Sequence, residues 1–193
     1  MIHDNNYFPT GSRCIKPQEV INIPISLSKS LQGKYFVGQT EAVWVGDGLN
    51  AWAGLFNSCN SGVNLFANVI TISNFSDQPL MAQVWLNARL SERGSLSRKV
   101  SPSNTALEPQ PDNKVNILYV KSTEDTPSAG VNIFDRIVPP NATLVSEEDG
   151  KFIVPPCGNY TIFLESSSPK PSKIIVAFGW WEEPICFSES PCR

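Results

Sequence analysis

The chain has 193 residues, 41% hydrophobic and 17% charged. That length suits one large domain or two small ones, and the composition excludes a disordered chain. A net charge of −3 and a pI near 5.2 leave no electrostatic footprint for nucleic acid or an anionic membrane surface.

Residues 1–17 are polar, contain Pro9, Gly11 and Pro17, and read as an extended N-terminal arm holding Tyr7, Phe8 and Cys14. From Val20 the pattern has a period of two. Ile21, Ile23, Ile25 and Leu27 form an apolar row against Val20, Asn22, Pro24 and Ser26, which predicts a strand. Pro24 confines that strand to a sheet edge. Tyr35–Val45 is strand-rich and ends at the turn Gly46-Asp47-Gly48. Leu49–Phe56 is the next strand, followed by the loop Asn57–Gly62 with Cys59. Asn64–Phe75 and Leu80–Leu86, on either side of Ser76-Asp77-Gln78-Pro79, predict a β-hairpin. In its second arm Leu80, Ala82, Val84 and Leu86 face a core, opposite Met81, Gln83, Trp85 and Asn87.

Residues 88–113 are a long polar segment with one short strand expected around Leu96–Val100. Val115–Val120, Val131–Val138 and Lys151–Val154 are further strands. Tyr160–Leu164 and Lys173–Trp181 are predicted to pair across Ser166–Ser172. No window repeats apolar residues at i, i+3, i+4 and i+7 for three turns, and the 16 prolines would interrupt a helix, so none is expected. About eight to ten short strands separated by turns specify an all-β fold, a jelly-roll-like β-sandwich. The expected organisation is an arm at 1–17, a single domain at 18–183 and a cysteine-bearing tail at 184–193.

Catalytic chemistry is sparse. The one histidine, His3, lies in the arm, so the domain has no imidazole for a Ser-His or Cys-His nucleophile. With no CxxC pair either, no metal site or cofactor is expected. Glycoside hydrolysis needs only two carboxylates, and Asp47, Glu147, Glu148, Asp149, Glu182 and Glu183 are the candidates. However, Gly46-Asp47-Gly48 and Glu147–Gly150 read as solvated turns, and the chain is not expected to be an enzyme. Trp44, Trp85 and Trp181 offer a different chemistry, a stacking platform for sugar rings in a carbohydrate-binding or adhesive module. Trp180 and Trp181 are adjacent, so in a strand one of them lies outside the core, facing a partner, a ligand or a covering loop.

The five cysteines say more. An odd number means that at least one has no partner in its own subunit. Cys59 and Cys157 sit in turns and could form an intrachain bridge, stay as exposed thiols, or make further cross-links. Cys186 and Cys192 could pair with each other. Cys14, Cys186 and Cys192, in terminal stretches, are the candidates for intersubunit disulfides, with Cys14 joined to a tail cysteine of another subunit. Met1–Asn6 shows neither the basic nor the apolar region of a secretory signal. The thiols are therefore expected either to stay reduced in a cytosol or to oxidise after release by lysis of the producing cell.

Tyr35–Gly54, Ile72–Leu80, Val84–Asn87 and Ala177–Glu183 resemble an uncharacterised family of proteins from spore-forming Firmicutes, a resemblance that implies no catalytic residues. A sandwich with a cysteine-bearing arm also resembles the subunits of bacterial endospore appendages, whose arm cysteines bond to other subunits. This chain departs from them in having one arm cysteine and additional tail cysteines. Together these features lead to an expected function. The chain is a subunit that assembles with itself into a disulfide-reinforced fibre or surface layer on bacterial endospores. Other spore-surface proteins are further possible partners, and nucleic acid and membrane are not. Its expected location is the spore surface, or the exterior after mother-cell lysis. Ile174–Trp181 and the strand at 20–27 are the expected edges for contact with a neighbour.

Overall fold

The structure is a computed structural model that describes residues 20–185. In chain order it contains α1 (Ile25–Leu31), β1 (Tyr35–Gln39), β2 (Val43–Val45), β3 (Asn50–Asn57), β4 (Val63–Asn74) and β5 (Leu80–Arg89). There follow β6 (Ser95–Leu96), β7 (Lys99–Pro102), β8 (Val115–Thr123), β9 (Ala129–Val138), β10 (Ala142–Val154), β11 (Asn159–Glu165) and β12 (Ser172–Pro184). The strands form two antiparallel sheets. The first has the order β10-β4-β12-β1-β7, with β2 pairing the start of β12, and the second has the order β6-β8-β3-β11-β5-β9.

That order defines a jelly roll. With β1 and β2 counted as one interrupted strand, β1/β2-β12-β4-β10 faces β3-β11-β5-β9, the eight-stranded double Greek key. The polar segment after β5 is an insertion. It adds β7 beside β1 in the first sheet and β8, flanked by β6, beside β3 in the second.

Most successive strands therefore cross between sheets, and four expectations change. β4 and β5 do not form a hairpin but lie in opposite sheets, and so do β11 and β12. The turn residues were right in both cases. Asn74 is the reason the first one becomes a corner. Its side-chain amide donates to the carbonyls of Gln78 and Pro139, and its Oδ1 accepts from Ser76. These bonds tie the β4–β5 connection to the β9–β10 connection. The third change is at residues 20–27, which are not a strand. Val20–Pro24 has no regular structure, and Ile25 begins a helix. β12 is also central rather than an edge, paired to β4 on one side and to β1 and β2 on the other.

The core lies between the sheets and follows the period of two. Val43, Leu65, Ile72, Val176, Phe178 and Trp180 come from the first sheet, and Leu55, Ala82, Ile117, Tyr160, Ile162 and Leu164 from the second. A smaller cluster of Trp52, Val120 and Phe163 sits on the outer face of the second sheet, beneath Leu90 of the insertion. Glu147–Gly150, expected as a solvated turn, instead stays within β10 as a wide bulge opposite β4. Glu147 and Asp149 are exposed, but Glu148 turns inward and accepts a hydrogen bond of 2.7 Å from the Ser146 hydroxyl. Gly150 has φ of 73° and lies so close to the Trp181 ring that a Cβ there would overlap it.

Inside the same bulge, the Tyr160 hydroxyl is buried beside the Glu148 carboxylate but makes no hydrogen bond of regular geometry among the described residues. Burial raises its pKa far above the ordinary tyrosine range, and the nearby Glu148 carboxylate pushes the same way while Arg136 opposes. A buried, unpaired hydroxyl contributes nothing favourable to folding. Tyr160→Phe is therefore expected to leave the urea-unfolding free energy unchanged or raise it by about 1 kcal/mol. A clear loss of stability would show that the hydroxyl has a partner.

Candidate functional site

One end of the sandwich gathers its cross-sheet ties and both described ends of the chain. The first tie is covalent. Cys59, in the β3–β4 loop, is bonded to Cys157, in the β10–β11 loop, across a sequence separation of 98. Both are exposed. Backbone bonds flank the bridge, from Asn57 N–H to the Gly158 carbonyl at 3.0 Å and from Cys157 N–H to the Asn57 carbonyl at 2.9 Å. Cys157 has φ of 69°, which lets the loop double back onto Asn57. The buried Asn57 side chain completes the tie. Its Nδ2 donates to the carbonyls of Val63 and Val154 at 2.8 and 3.0 Å, so the end of β3 holds the start of β4 and the end of β10.

Glu182 makes the second tie. It is buried on β12, in the first sheet. Its carboxylate accepts from the backbone N–H of Lys114 at 2.9 Å and of Val115 at 3.0 Å, at the start of β8 in the second sheet. The Trp180 indole N–H donates to the same carboxylate at 3.0 Å. Two residues apart on a strand, Trp180 and Glu182 share a face, and that places the carboxylate at the mouth of the core.

The third tie holds the chain ends. The Lys29 and Lys34 ammonium groups lie 2.5 and 2.6 Å from the Glu183 carboxylate. Partial burial tends to raise the pKa of Glu183, but the Lys29 and Lys34 ammonium groups outweigh it and hold the carboxyl below its usual range. Ile185 N–H donates to the Gly62 carbonyl, in the Cys59 loop. The described chain thus ends at Ile185, held to the Cys59 loop, and α1 leads into β1 at the same end. Cys14, Cys186 and Cys192 themselves lie outside the described residues.

A family model matches residues 6–187, nearly the whole chain, from before Cys14 to just after Cys186. The chain belongs to a family of unknown function (DUF6143). No curated protein sequence matches it. Among solved structures, hydroquinone 1,2-dioxygenase from Sphingomonas sp. TTNP3, crystallised with 4-hydroxybenzoate bound, shows a likeness at 12% identity with a TM-score of 0.29. The likeness covers 79% of this chain and 61% of that one, and it carries no inference about this member of DUF6143.

The three tryptophans expected as a platform are not brought together in this DUF6143 chain. Trp44 is exposed on β2, at the opposite end of the first sheet from the ties. Trp85 lies on the outer face of the second sheet and donates to Gln83 Oε1 at 2.9 Å. Trp181 is buried, its ring stacked on Phe66 at 5.3 Å and covered by Gly150. The three rings therefore do not lie on one surface. The carboxylates are equally dispersed. Asp47 caps an exposed turn, Glu148 faces Tyr160 from the β10 bulge, and Glu182 and Glu183 serve the ties just described. Asn57 and Glu182 are the site residues that sequence reasoning missed as ties. The signal for Glu182 was its position two residues after a core tryptophan, where a carboxylate must find donors.

Proposed function

We propose that this protein is a structural subunit that assembles with itself into a disulfide-reinforced fibre or surface layer. One observation carries the reading. Both described chain ends leave the sandwich at its stitched end, and the stretches beyond them hold the three cysteines that remain once Cys59 and Cys157 are joined. At most two of those three can pair with each other, which leaves a thiol for a neighbour. Load applied through either terminus would enter the domain where a disulfide and a buried carboxylate link the sheets and an ion-paired clasp holds α1 to β12. The likeness of the β1–β3 region to proteins of spore-forming Firmicutes supports a place on the endospore surface, reached when the mother cell lyses. The inward or dispersed carboxylates support a structural rather than a catalytic role.

Air-oxidised protein is expected to run as a ladder on a denaturing gel, to collapse to monomer with reductant, and to show filaments or sheets by negative-stain electron microscopy. Replacing Cys14, Cys186 and Cys192 with serine should abolish the ladder. A monomer band without reductant, together with discrete particles on the grid, would overturn the proposal.

A further inference from the structure

The residues leading into the domain are oddly exposed. Ile21, Ile23, Ile25 and Leu27 are 77%, 47%, 49% and 46% accessible, with exposed Val20 and Leu31 beside them. Monomeric surfaces avoid contiguous apolar patches of this kind. α1 does not account for the pattern. It buries no residue, has no side-chain cap at Pro24 and no acid in its first turn. A helix of seven residues without a packed face is marginal in water.

The spacing fits a strand with one covered face. Pro24 fits it as well. Along an antiparallel strand the backbone groups of alternate residues point to opposite sides. Pro24, with Asn22 and Ser26, would point to solvent, while the N–H groups of Ile21, Ile23, Ile25 and Leu27 would point to an acceptor. The residues with an apolar side chain to bury are therefore also the ones able to bond. In their own chain β1, reached through Gln32–Lys34, is flanked by β12 and β7, and the edge beside it, β7, has only four residues, Lys99–Pro102, too short to pair the whole of 21–27.

A matching edge lies on β10. That strand closes the first sheet and pairs only with β4, in regular register from Ala142 to Glu147. The gap between the sheets beside it is incompletely sealed, since Leu144, Phe152 and, from β9, Phe134 are only partly buried members of the core. Phe134 and Phe152 meet edge to face there, at 6.1 Å. Neither stretch would bury a charge, for Val20–Ser28 and Ala142–Ser146 contain none.

We propose that residues 21–27 of one copy unwind from α1 and add as a strand to the outer edge of β10 in a second copy. Ile21, Ile23, Ile25 and Leu27 then cover Leu144, Phe134 and Phe152. The inference rests on the self-assembly reading and names the non-covalent contact that precedes any intersubunit disulfide. It also carries Cys14, a short way before Ile21, onto the same neighbour.

The test uses full-length protein with Cys14, Cys186 and Cys192 replaced by serine, so that the Cys59–Cys157 bridge stays intact. Light scattering is expected to show multimers. Amide exchange at 21–27 and 142–147 is expected to be slower by about a hundred-fold than after Ile23→Asp with Ile25→Asp. The aspartate variant should be monomeric and equally stable, since both side chains are exposed in the monomer. Multimers of that variant equal to the parent overturn this contact and leave disulfide-linked assembly standing. A monomeric serine parent does the same where the native cysteine protein still polymerises. Failure of the native protein to polymerise removes both readings. Protection of the two stretches within a monomer assigns the strand to its own chain and overturns the second copy.

Discussion

Replacing Cys59 and Cys157 together with serine lowers the stability of the domain by about 4 kcal/mol and its Tm by roughly 8–16 °C. The magnitude follows from loop length. The bridge spans a separation of 98 residues, and constraint on the unfolded chain grows with the size of the closed loop. That loop contains β4 to β10, the strands that cross repeatedly between sheets and whose partners are far away in sequence. Without the bridge these strands must find one another from a much larger ensemble. The measurement is calorimetry without reductant in the background in which Cys14, Cys186 and Cys192 are serine, so that only the intrachain bond differs. An unchanged Tm on losing Cys59 and Cys157 would show that the bridge does not form in solution.

The sequence was legible where a residue's environment depends on its near neighbours. Alternation placed Leu80, Ala82 and Val84 on the buried face of β5 correctly, because a strand's side chains alternate whichever sheet it joins. The same logic could not say which sheet that was. Ser76–Pro79 is a turn in either case, and only the long-range bonds of Asn74 to the β9–β10 connection make it a corner. Residues 20–27 failed for a related reason. Their strand pattern is real, but a strand needs an edge, and the edge beside them, β7, is only four residues long. Glu147–Gly150 has the composition of a solvated turn. The bulge in β10 instead turns Glu148 inward, which nothing local foretold.

For the candidate site, the cysteines were readable as a group but not in their pairing. Cys59 and Cys157 sit in unremarkable turns, and their meeting depends on β3 and β11 lying side by side. Tryptophan content suggested a platform because count and exposure were the only guides. The fold distributes Trp44, Trp85 and Trp181 over two sheets and buries one of them. Sequence can suggest which side chains want a partner. Only topology decides which of them share one.

Glu182 gives the second large effect. Glu182→Ala is expected to destabilise the domain by about 3–5 kcal/mol, since it leaves the N–H groups of Lys114 and Val115 and the Trp180 indole without an acceptor in a buried place. Glu182→Gln should cost less, about 1–2 kcal/mol. Its single oxygen can still accept from Val115 and Trp180, whereas its amide would face the Lys114 N–H, donor against donor. Urea unfolding gives the ranking of wild type, glutamine and alanine, and amide exchange at Lys114 and Val115 localises the loss. A structural side chain with no specific donors would give alanine and glutamine equal, small effects. The pattern matters for assembly as well. With Asn57, this carboxylate is one of the polar links between the two sheets at the end where the described chain enters and ends. Weakening it should therefore free the start of β8 before the core, and the proposed assembly, loaded through those termini, is expected to fail there first.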